Sequence, residues 1–223
     1  MSPNEYSRMQ SARKWNLRKL QAMFQVMKQP PSSLLPLLRS PFQGELLAWL
    51  FLHPDVEYAQ VELAKRFGVS PSSVTREVDR LGAAGLVVTR RTGNMRMVRA
   101  DTDVAVARPL TELLALTYGP TAVLGEQLSG VDGIEDAYIY GSWAARYSGE
   151  PGRVPNDVDV LVIGSADEDD LYDAARSAER QLGREVSIRR LSRDEWESSQ
   201  GDPFLETVKT RPLVRLKIDE GKR

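Results

Sequence analysis

The sequence predicts a two-domain α/β protein, with helices and a β-hairpin in the N-terminal half and a small mixed sheet with helices in the C-terminal half. Two observations predict this division. Residues 1–120 carry 16 Lys and Arg against 10 Asp and Glu, a net charge of +6, whereas residues 121–223 carry 14 against 21, a net charge of −7. Apolar residues also recur at helical spacing in the first half and in β-like runs in the second. We therefore expect two domains with different partners, since the acidic half needs a cation to meet phosphate.

Composition excludes several classes of protein. Of the 223 residues, 41% are hydrophobic and 27% are charged, which is typical of globular domains. The chain contains no cysteine, which excludes a disulfide framework and a thiolate zinc site. Its single histidine, His53, argues against a histidine-centred catalytic triad. The longest apolar run, Leu46 to Leu52, is far shorter than the roughly 20 residues of a membrane helix, so we expect no membrane partner and a cytoplasmic location.

Residues 1–39 are predicted to form a basic helix and a linker. Basic residues between Arg13 and Lys19 alternate with apolar ones at helical spacing, and Pro30 and Pro31 end the pattern. The segment lacks the continuous apolar core of a targeting peptide. Such a helix can pack on its own domain, lie on a membrane or contact DNA phosphate.

Residues 40–104 have the pattern of three helices followed by a hairpin. The second helix ends at Gly68, and the third begins at Pro71 after Ser70, which is a preferred N-cap residue. Two β-like runs then surround the turn at Thr92-Gly93-Asn94. The apolar residues of the third helix are expected to face inward, namely Val74, Val78 and Leu81.

This segment resembles a winged helix-turn-helix domain of the ArsR-like or MarR-like kind. The resemblance rests on the runs ELAKRFGVS from Glu62, SVTREVDRL from Ser73 and GLV from Gly85, and it covers about Pro41 to Asp103. It implies a transcriptional regulator that acts as a homodimer on double-stranded DNA, with the third helix in the major groove and the wing on phosphate or in the minor groove. The cysteines of metal-sensing ArsR proteins are absent, so we predict no metal sensing.

The candidate DNA-binding residues lie on the third helix and on the wing. They are Ser72, Ser73, Thr75, Arg76 and Arg80 on the helix, and Arg90, Arg91 and Arg96 on the wing. Two acidic residues on the same helix, Glu77 and Asp79, are unfavourable next to DNA. A winged helix that contacts only proteins is therefore an alternative.

Residues 105–130 are predicted to be connecting helices. Leu110, Leu113 and Leu114 form an apolar stripe on a helix that starts near Ala107. In winged-helix proteins such a stripe packs either across the two-fold axis of a dimer or on its own domain, and the sequence leaves both open. Gly119-Pro120 marks the domain boundary.

Residues 131–223 contain a glycine-serine turn and an Asp-x-Asp pattern. A strand runs from Ala137 into Gly141 and Ser142, and the next strand carries Asp157 and Asp159. Residues two apart on a strand share a face, so both carboxylates point to one side. Magnesium is the natural counter-ion for such a pair, because it prefers oxygen ligands and shares them with substrate phosphates.

The combination resembles the minimal nucleotidyltransferases of the DNA polymerase β superfamily over about Val131 to Leu216. The resemblance implies that Gly141 and Ser142 grip the terminal phosphates of a nucleoside triphosphate and that Asp157 and Asp159 hold Mg²⁺. An acceptor hydroxyl would attack the α-phosphate and release pyrophosphate. Arg146 is a further candidate phosphate contact.

The sequence departs from the family at the third catalytic carboxylate. On the strand from about Glu185 to Leu191 the matching position is Ser187, and Glu185, two residues earlier on the same face, is the candidate substitute. Active transfer, nucleotide binding without turnover and a purely structural domain therefore remain open. We expect a DNA-binding regulator with a nucleotide-binding domain. The alternatives are a tRNA- or protein-modifying nucleotidyltransferase of toxin–antitoxin type and an interaction protein without either activity.

Overall fold

The computed structural model describes residues 37–152, 154–198 and 201–218. The described residues from Phe42 onward form one compact unit. The predicted basic helix around Arg13 lies outside the described residues.

The first half of the described chain is a winged helix. Its elements are α1 (Pro41–Leu52), β1 (Tyr58–Ala59), α2 (Gln60–Phe67), α3 (Pro71–Ala83), β2 (Val87–Thr92) and β3 (Met95–Ala100). The three strands pair antiparallel in the order β1-β3-β2, and β2 and β3 form the hairpin around Gly93 and Asn94. Helices α2 and α3 form the helix-turn-helix, and the hairpin is the wing. The predicted winged helix-turn-helix fold is confirmed.

Two residues fix the turn between α2 and α3. Gly68 ends α2 with a φ of 62°, in the left-handed region that favours glycine. Ser70 caps α3, because its side-chain oxygen accepts a hydrogen bond of 3.2 Å from the backbone N–H of Ser73. The inner faces of the helices are fully buried, as at Leu46, Leu50, Leu63, Val74 and Val78. The sequence signals for this turn are therefore local and correct.

The second half is built on a four-stranded mixed sheet. Its elements are α4 (Ala107–Tyr118), α5 (Pro120–Leu128), β4 (Ile134–Tyr140), α6 (Gly141–Tyr147), β5 (Asp157–Gly164), α7 (Glu168–Leu182), β6 (Glu185–Leu191), α8 (Arg193–Glu197), α9 (Pro203–Thr210) and β7 (Val214–Arg215). The strand order is β6-β5-β4-β7. Strands β5 and β6 run parallel, and β4 is antiparallel to both β5 and β7.

Alternation along β5 separates the two faces of this sheet. Val158, Val160 and Val162 face the larger core, which α5 and α7 complete. Leu161 faces a smaller cluster with Leu205 and Val208 of α9. Asp157 and Asp159 share the face of Leu161, because residues two apart on a strand point the same way. The sheet thus presents two carboxylates at the start of its central strand.

The apolar stripe predicted on α4 is divided by the fold. Leu114 is fully buried and Leu110 is half-buried, whereas Leu113 and Leu116 are exposed. The homodimer stays a prediction. Within the described ranges no helix is long and apolar enough to cross a membrane.

We expect Ser70→Ala to lower the free energy of unfolding by about 1 kcal/mol, because it removes the N-cap of α3. For a chain of this length the corresponding decrease in Tm is roughly 2–4 °C. Urea and thermal denaturation measure both quantities. Ser70→Asp is the matched control, since aspartate caps helices equally well and should restore stability. An alanine variant as stable as the wild type would contradict the role of the cap.

Candidate functional site

The residues predicted to contact DNA lie together on the outer face of α3 and on the wing. Six of them are exposed, namely Ser72, Thr75, Arg76, Arg80, Arg90 and Arg91, and two are half-buried, namely Ser73 and Arg96. Some of their polar groups already have partners. The hydroxyls of Ser72 and Ser73 each lie 2.9 Å from the Ser70 hydroxyl. The Thr75 hydroxyl donates to Oε1 of Gln60 at 3.0 Å.

Three of the predicted arginines are neutralised within the winged helix. Nε of Arg90 donates to Oε2 of Glu57 at 2.7 Å, and this hydrogen bond holds the pKa of Glu57 below its usual value. Arg96 pairs with Asp79 at 2.6 Å, and Arg80 pairs with Glu77 at 3.0 Å.

The remaining two arginines of this surface, Arg76 and Arg91, make no ion pair with any described residue. Of the five predicted arginines, these two are therefore the most available to an external phosphate.

The expectation that Glu77 disfavours DNA on the surface of α3 is wrong. Its side chain is buried, with the residue only 6% exposed, and it accepts hydrogen bonds from Gln43 at 2.7 Å and from Arg80. The buried glutamate faces the interior of the domain and not the groove-facing side. Asp79 is exposed, but Arg96 balances its charge.

The glycine-serine turn and the Asp-x-Asp pattern meet at one edge of the mixed sheet. Gly141 follows β4 directly, and its φ of 72° lies in the left-handed region, which favours glycine. A Cβ atom at Gly141 would lie 2.6 Å from Oδ2 of Asp159, so glycine leaves room for this carboxylate beside the turn. Ser142, the next residue, is exposed. The predicted partners are thus adjacent in space, although 17 residues separate Gly141 from Asp159 in sequence.

The parallel pairing of β5 and β6 extends this edge. Asp157 pairs with Glu185, and Asp159 pairs with Ser187. Paired residues of neighbouring strands share a face, so the four side chains line one face of the sheet. The position beside Asp159 is therefore a serine, as the sequence predicts, and Glu185 stands beside the other aspartate.

The carboxylates of this edge are not neutralised by the described part of the chain. Asp157, Asp159 and Glu185 form no hydrogen bond or ion pair with a described side chain. Burial raises the pKa of Asp159, and the charges of Asp157 and Glu185 raise it further. An edge of this kind attracts a cation, because a cation would relieve both the burial cost and the repulsion.

The donor set fits magnesium better than a metal that needs many protein ligands. Among the described residues, no group of three or more His, Asp or Glu side chains is arranged around a common metal position, so Glu185 does not complete a three-carboxylate site. Mg²⁺ commonly binds one or two carboxylates together with substrate phosphates. Asp157 and Asp159 suit that mode, and Mg²⁺ itself remains a prediction.

The structure connects Arg146 to the segment that follows α6. Its Nη1 donates to the Glu150 carbonyl at 3.0 Å, and a Cβ atom at Gly152 would overlap the guanidinium. Arg146 is half-buried in this position. Its predicted phosphate contact remains a prediction.

Sequence reasoning missed two residues beside the carboxylates. Tyr140 pairs with Asp159 across the sheet, and burial, followed by the Asp159 charge, raises the pKa of its hydroxyl. Arg189 lies over the Phe204 ring, 4.0 Å from its centroid, and Phe204 in turn packs edge-on against Tyr140. The only sequence signal was the aromatic residue immediately before Gly141.

We expect Asp159→Asn to stabilise the protein at pH 7. A raised carboxyl pKa means that the folded state binds more protons than the unfolded state, so the free energy of unfolding falls as pH rises above the usual value of 3.8. Because the asparagine is uncharged, the variant avoids this loss, and its free energy of unfolding at pH 7 should be higher by up to about 1 kcal/mol after screening by solvent.

Thermal denaturation between pH 3 and pH 7 tests this expectation. The gain should vanish at the acidic end, where Asp159 is protonated in both states. Asp173→Asn, at an exposed position on α7, should change little. A destabilised Asp159→Asn variant at pH 7 would refute the electrostatic account.

Comparisons with known proteins find similarity to solved structures only at a low level. No protein-family model matches the sequence, and no curated protein matches it. Three solved structures that it resembles are reduced HlyU from Vibrio cholerae, YusO from Bacillus subtilis and the transcriptional regulator BldR from Sulfolobus solfataricus. Their identities are 23%, 24% and 21%, and the TM-scores are 0.31, 0.33 and 0.34. The alignments cover 45%, 58% and 60% of this chain and 94%, 86% and 91% of those chains. Because these TM-scores are low, the winged-helix assignment rests on the order and pairing of the chain's own elements.

Proposed function

We propose that the chain is a DNA-binding transcriptional regulator whose mixed-sheet domain binds a complex of magnesium with a nucleoside triphosphate. The observation that carries the proposal is the exposed outer face of α3, where Arg76 forms no ion pair with a described residue, beside a wing that carries Arg91. An α-helix fits the major groove of DNA, and a neighbouring hairpin then lies along the backbone or in the minor groove.

The roles of the residues follow from their positions. Ser72, Thr75 and Arg76 lie in the first two turns of α3, which is the part of a recognition helix that reaches base edges. Arg91 supplies a phosphate contact from the wing. Arg90 and Arg96 first have to leave Glu57 and Asp79, so their contribution to affinity is smaller.

The carboxylate edge supports the second part of the proposal. Asp157 and Asp159 supply ligands for the metal, and Gly141 lets Asp159 approach the turn that carries the Ser142 hydroxyl. A bound Mg²⁺ ion would neutralise the carboxylates and the triphosphate together. In this arrangement Ser142 contacts a terminal phosphate, and Glu185 stays beside Asp157.

The same edge favours binding over transfer. A serine, Ser187, stands beside Asp159 where active members of the resembled superfamily carry a carboxylate. Transfer to an RNA or protein acceptor is the second candidate, and it rests on Glu185. That residue would take the proton of an acceptor hydroxyl as the hydroxyl oxygen bonds to the α-phosphorus and pyrophosphate leaves.

We expect Arg76→Ala and Arg91→Ala each to weaken binding to duplex DNA by about tenfold, and Arg91→Ala to reduce the salt slope by about one. Arg90→Ala should have a smaller effect, because Glu57 already pairs with Arg90. Glu57→Gln should instead strengthen binding, since it releases this arginine.

Fluorescence anisotropy on genomic duplex fragments over a series of salt concentrations measures these effects. Arg108→Ala, on the exposed side of α4, is the matched control. Binding that is absent, or that is insensitive to salt, would exclude the regulator.

We expect Asp157→Asn and Asp159→Asn each to abolish magnesium-dependent nucleotide binding, because each removes a metal ligand. Isothermal titration calorimetry with the four ribonucleoside triphosphates, with Mg²⁺ and with EDTA, measures the loss. Asp173→Asn should bind as the wild type does.

Incubation with labelled triphosphate, Mg²⁺ and cell extract separates binding from transfer. Label that appears on RNA or protein, and is lost in Glu185→Gln, would establish the second candidate. Failure of every triphosphate to bind would exclude both nucleotide binding at the carboxylate edge and nucleotidyl transfer.

A further inference from the structure

The winged helix and the mixed sheet contact each other at the C-terminal end of α7. Gly183 ends that helix with a φ of 64° and lies directly against the Trp49 ring of α1. A Cβ atom at Gly183 would overlap the ring, so the contact requires glycine for both its conformation and its space. The C-terminal end of α7 therefore packs against α1 of the winged helix.

Two arginines cross this contact in opposite directions, and each caps a helix of the other half. Nη2 of Arg66, in the last turn of α2, donates to the carbonyls of Arg180 and Gln181 at 2.8 and 3.2 Å. Its guanidinium also stacks on the Trp49 ring, 3.1 Å from the centroid. From the sheet side, Arg184 donates to the carbonyl of Leu52, the last residue of α1, and to that of Pro155. We call Arg66 and Arg184 the arginine caps.

Neither arginine cap has a carboxylate partner among the described residues. Arg184 is half-buried and Arg66 remains partly exposed, and partial burial lowers the pKa of each guanidinium. A charge that loses hydration needs compensation, and carbonyls at a helix C-terminus supply it through their partial negative charge. Each cap therefore depends on the other half of the molecule, in a way that an ordinary surface arginine does not.

The caps also connect the elements that carry the two proposed sites. Arg184 immediately precedes Glu185, and Pro155 lies two residues before Asp157, so one guanidinium contacts the approaches to both acidic strand ends. On the other side, Arg66 lies on α2, whose first residue, Gln60, accepts a hydrogen bond from Thr75 of α3. A cleft of about 560 Å³ beside the contact is lined from both halves, by residues that include His53, Tyr58, Asn156 and Glu185.

We propose that the arginine caps couple the winged helix to the carboxylate edge, so that the two halves open as one cooperative body and a ligand at the edge changes the affinity for DNA. The ligand part rests on the proposed function, whereas the cooperative opening does not. Coupling of this kind is reciprocal, so DNA changes the affinity for nucleotide by the same factor.

Native-state hydrogen exchange of the free protein tests the cooperative opening. In the wild type, peptides from α3 and from β5 should lose protection together as guanidinium chloride is raised. In Arg66→Ala/Arg184→Ala the α3 peptides should exchange at least about tenfold faster relative to β5, the factor expected for a lost charge-assisted hydrogen bond. Lys65→Ala/Arg180→Ala removes two neighbouring exposed charges and should keep the two peptides together.

Separate opening already in the wild type would overturn the proposal, and so would joint opening in the double cap variant. If the double variant does not fold, Arg66→Ala alone should show the same separation, and joint opening there would also overturn the proposal.

The affinity for DNA with and without saturating Mg²⁺ and triphosphate tests the ligand part, using the triphosphate that calorimetry selects. We expect at least about a fivefold change in the wild type and in Lys65→Ala/Arg180→Ala, and less than a twofold change in the cap variant. If both ligands bind but the affinity ratio stays within twofold, coupling fails while the proposed function stands. If either ligand fails to bind, the proposed function fails, and the exchange experiment still decides the cooperative opening.

Discussion

The arrangement of the carboxylate edge is governed by one electrostatic constraint, which is the uncompensated negative charge at the start of β5. Asp157, Asp159 and Glu185 share one face, and no described side chain neutralises them. The raised pKa of Asp159 shows that the fold bears a cost there. Gly141 leaves room for the Asp159 carboxylate, and the parallel pairing of β5 with β6 adds Glu185 to the group. A bound cation would relieve this electrostatic cost, which is the physical basis of the proposed magnesium site.

In the winged helix, by contrast, several acidic side chains are neutralised by ion pairs. Glu57, Glu77 and Asp79 each pair with an arginine of the winged helix, which leaves Arg76 and Arg91 as the predicted DNA-contacting arginines without an ion pair among the described residues. A net charge counted over the sequence cannot show this, because it weights paired and unpaired arginines equally. The unpaired arginines therefore lie on α3 and on the wing, which are the two elements that would contact DNA in the proposed function.

The predictions that succeed have causes within a few residues. Ser70, Gly68 and the Asp-x-Asp alternation act through an N-cap, a left-handed residue and the two-residue period of a strand, and all of these can be identified in the sequence. The position of Ser187 beside Asp159 also follows once two parallel strands are assumed. The ion pairs of the wing, the burial of Glu77 and the arginine caps depend on contacts between residues 17 to 132 positions apart. No local pattern encodes these contacts, because the packing of whole elements creates them.

The arginine caps explain why the two halves need a defined orientation. An apolar contact tolerates sliding, since dispersion forces and burial have little directionality. A guanidinium is a planar fork whose donors must meet carbonyl lone pairs at fixed angles, so a cap is satisfied only over a narrow range of positions. One cap runs from α2 to the last turn of α7, and the other runs from Arg184, between α7 and β6, to the last residue of α1. In the proposed coupling, these two contacts tie the direction in which α3 points to the edge that carries Asp157, so a ligand-induced change at one place would be transmitted to the other.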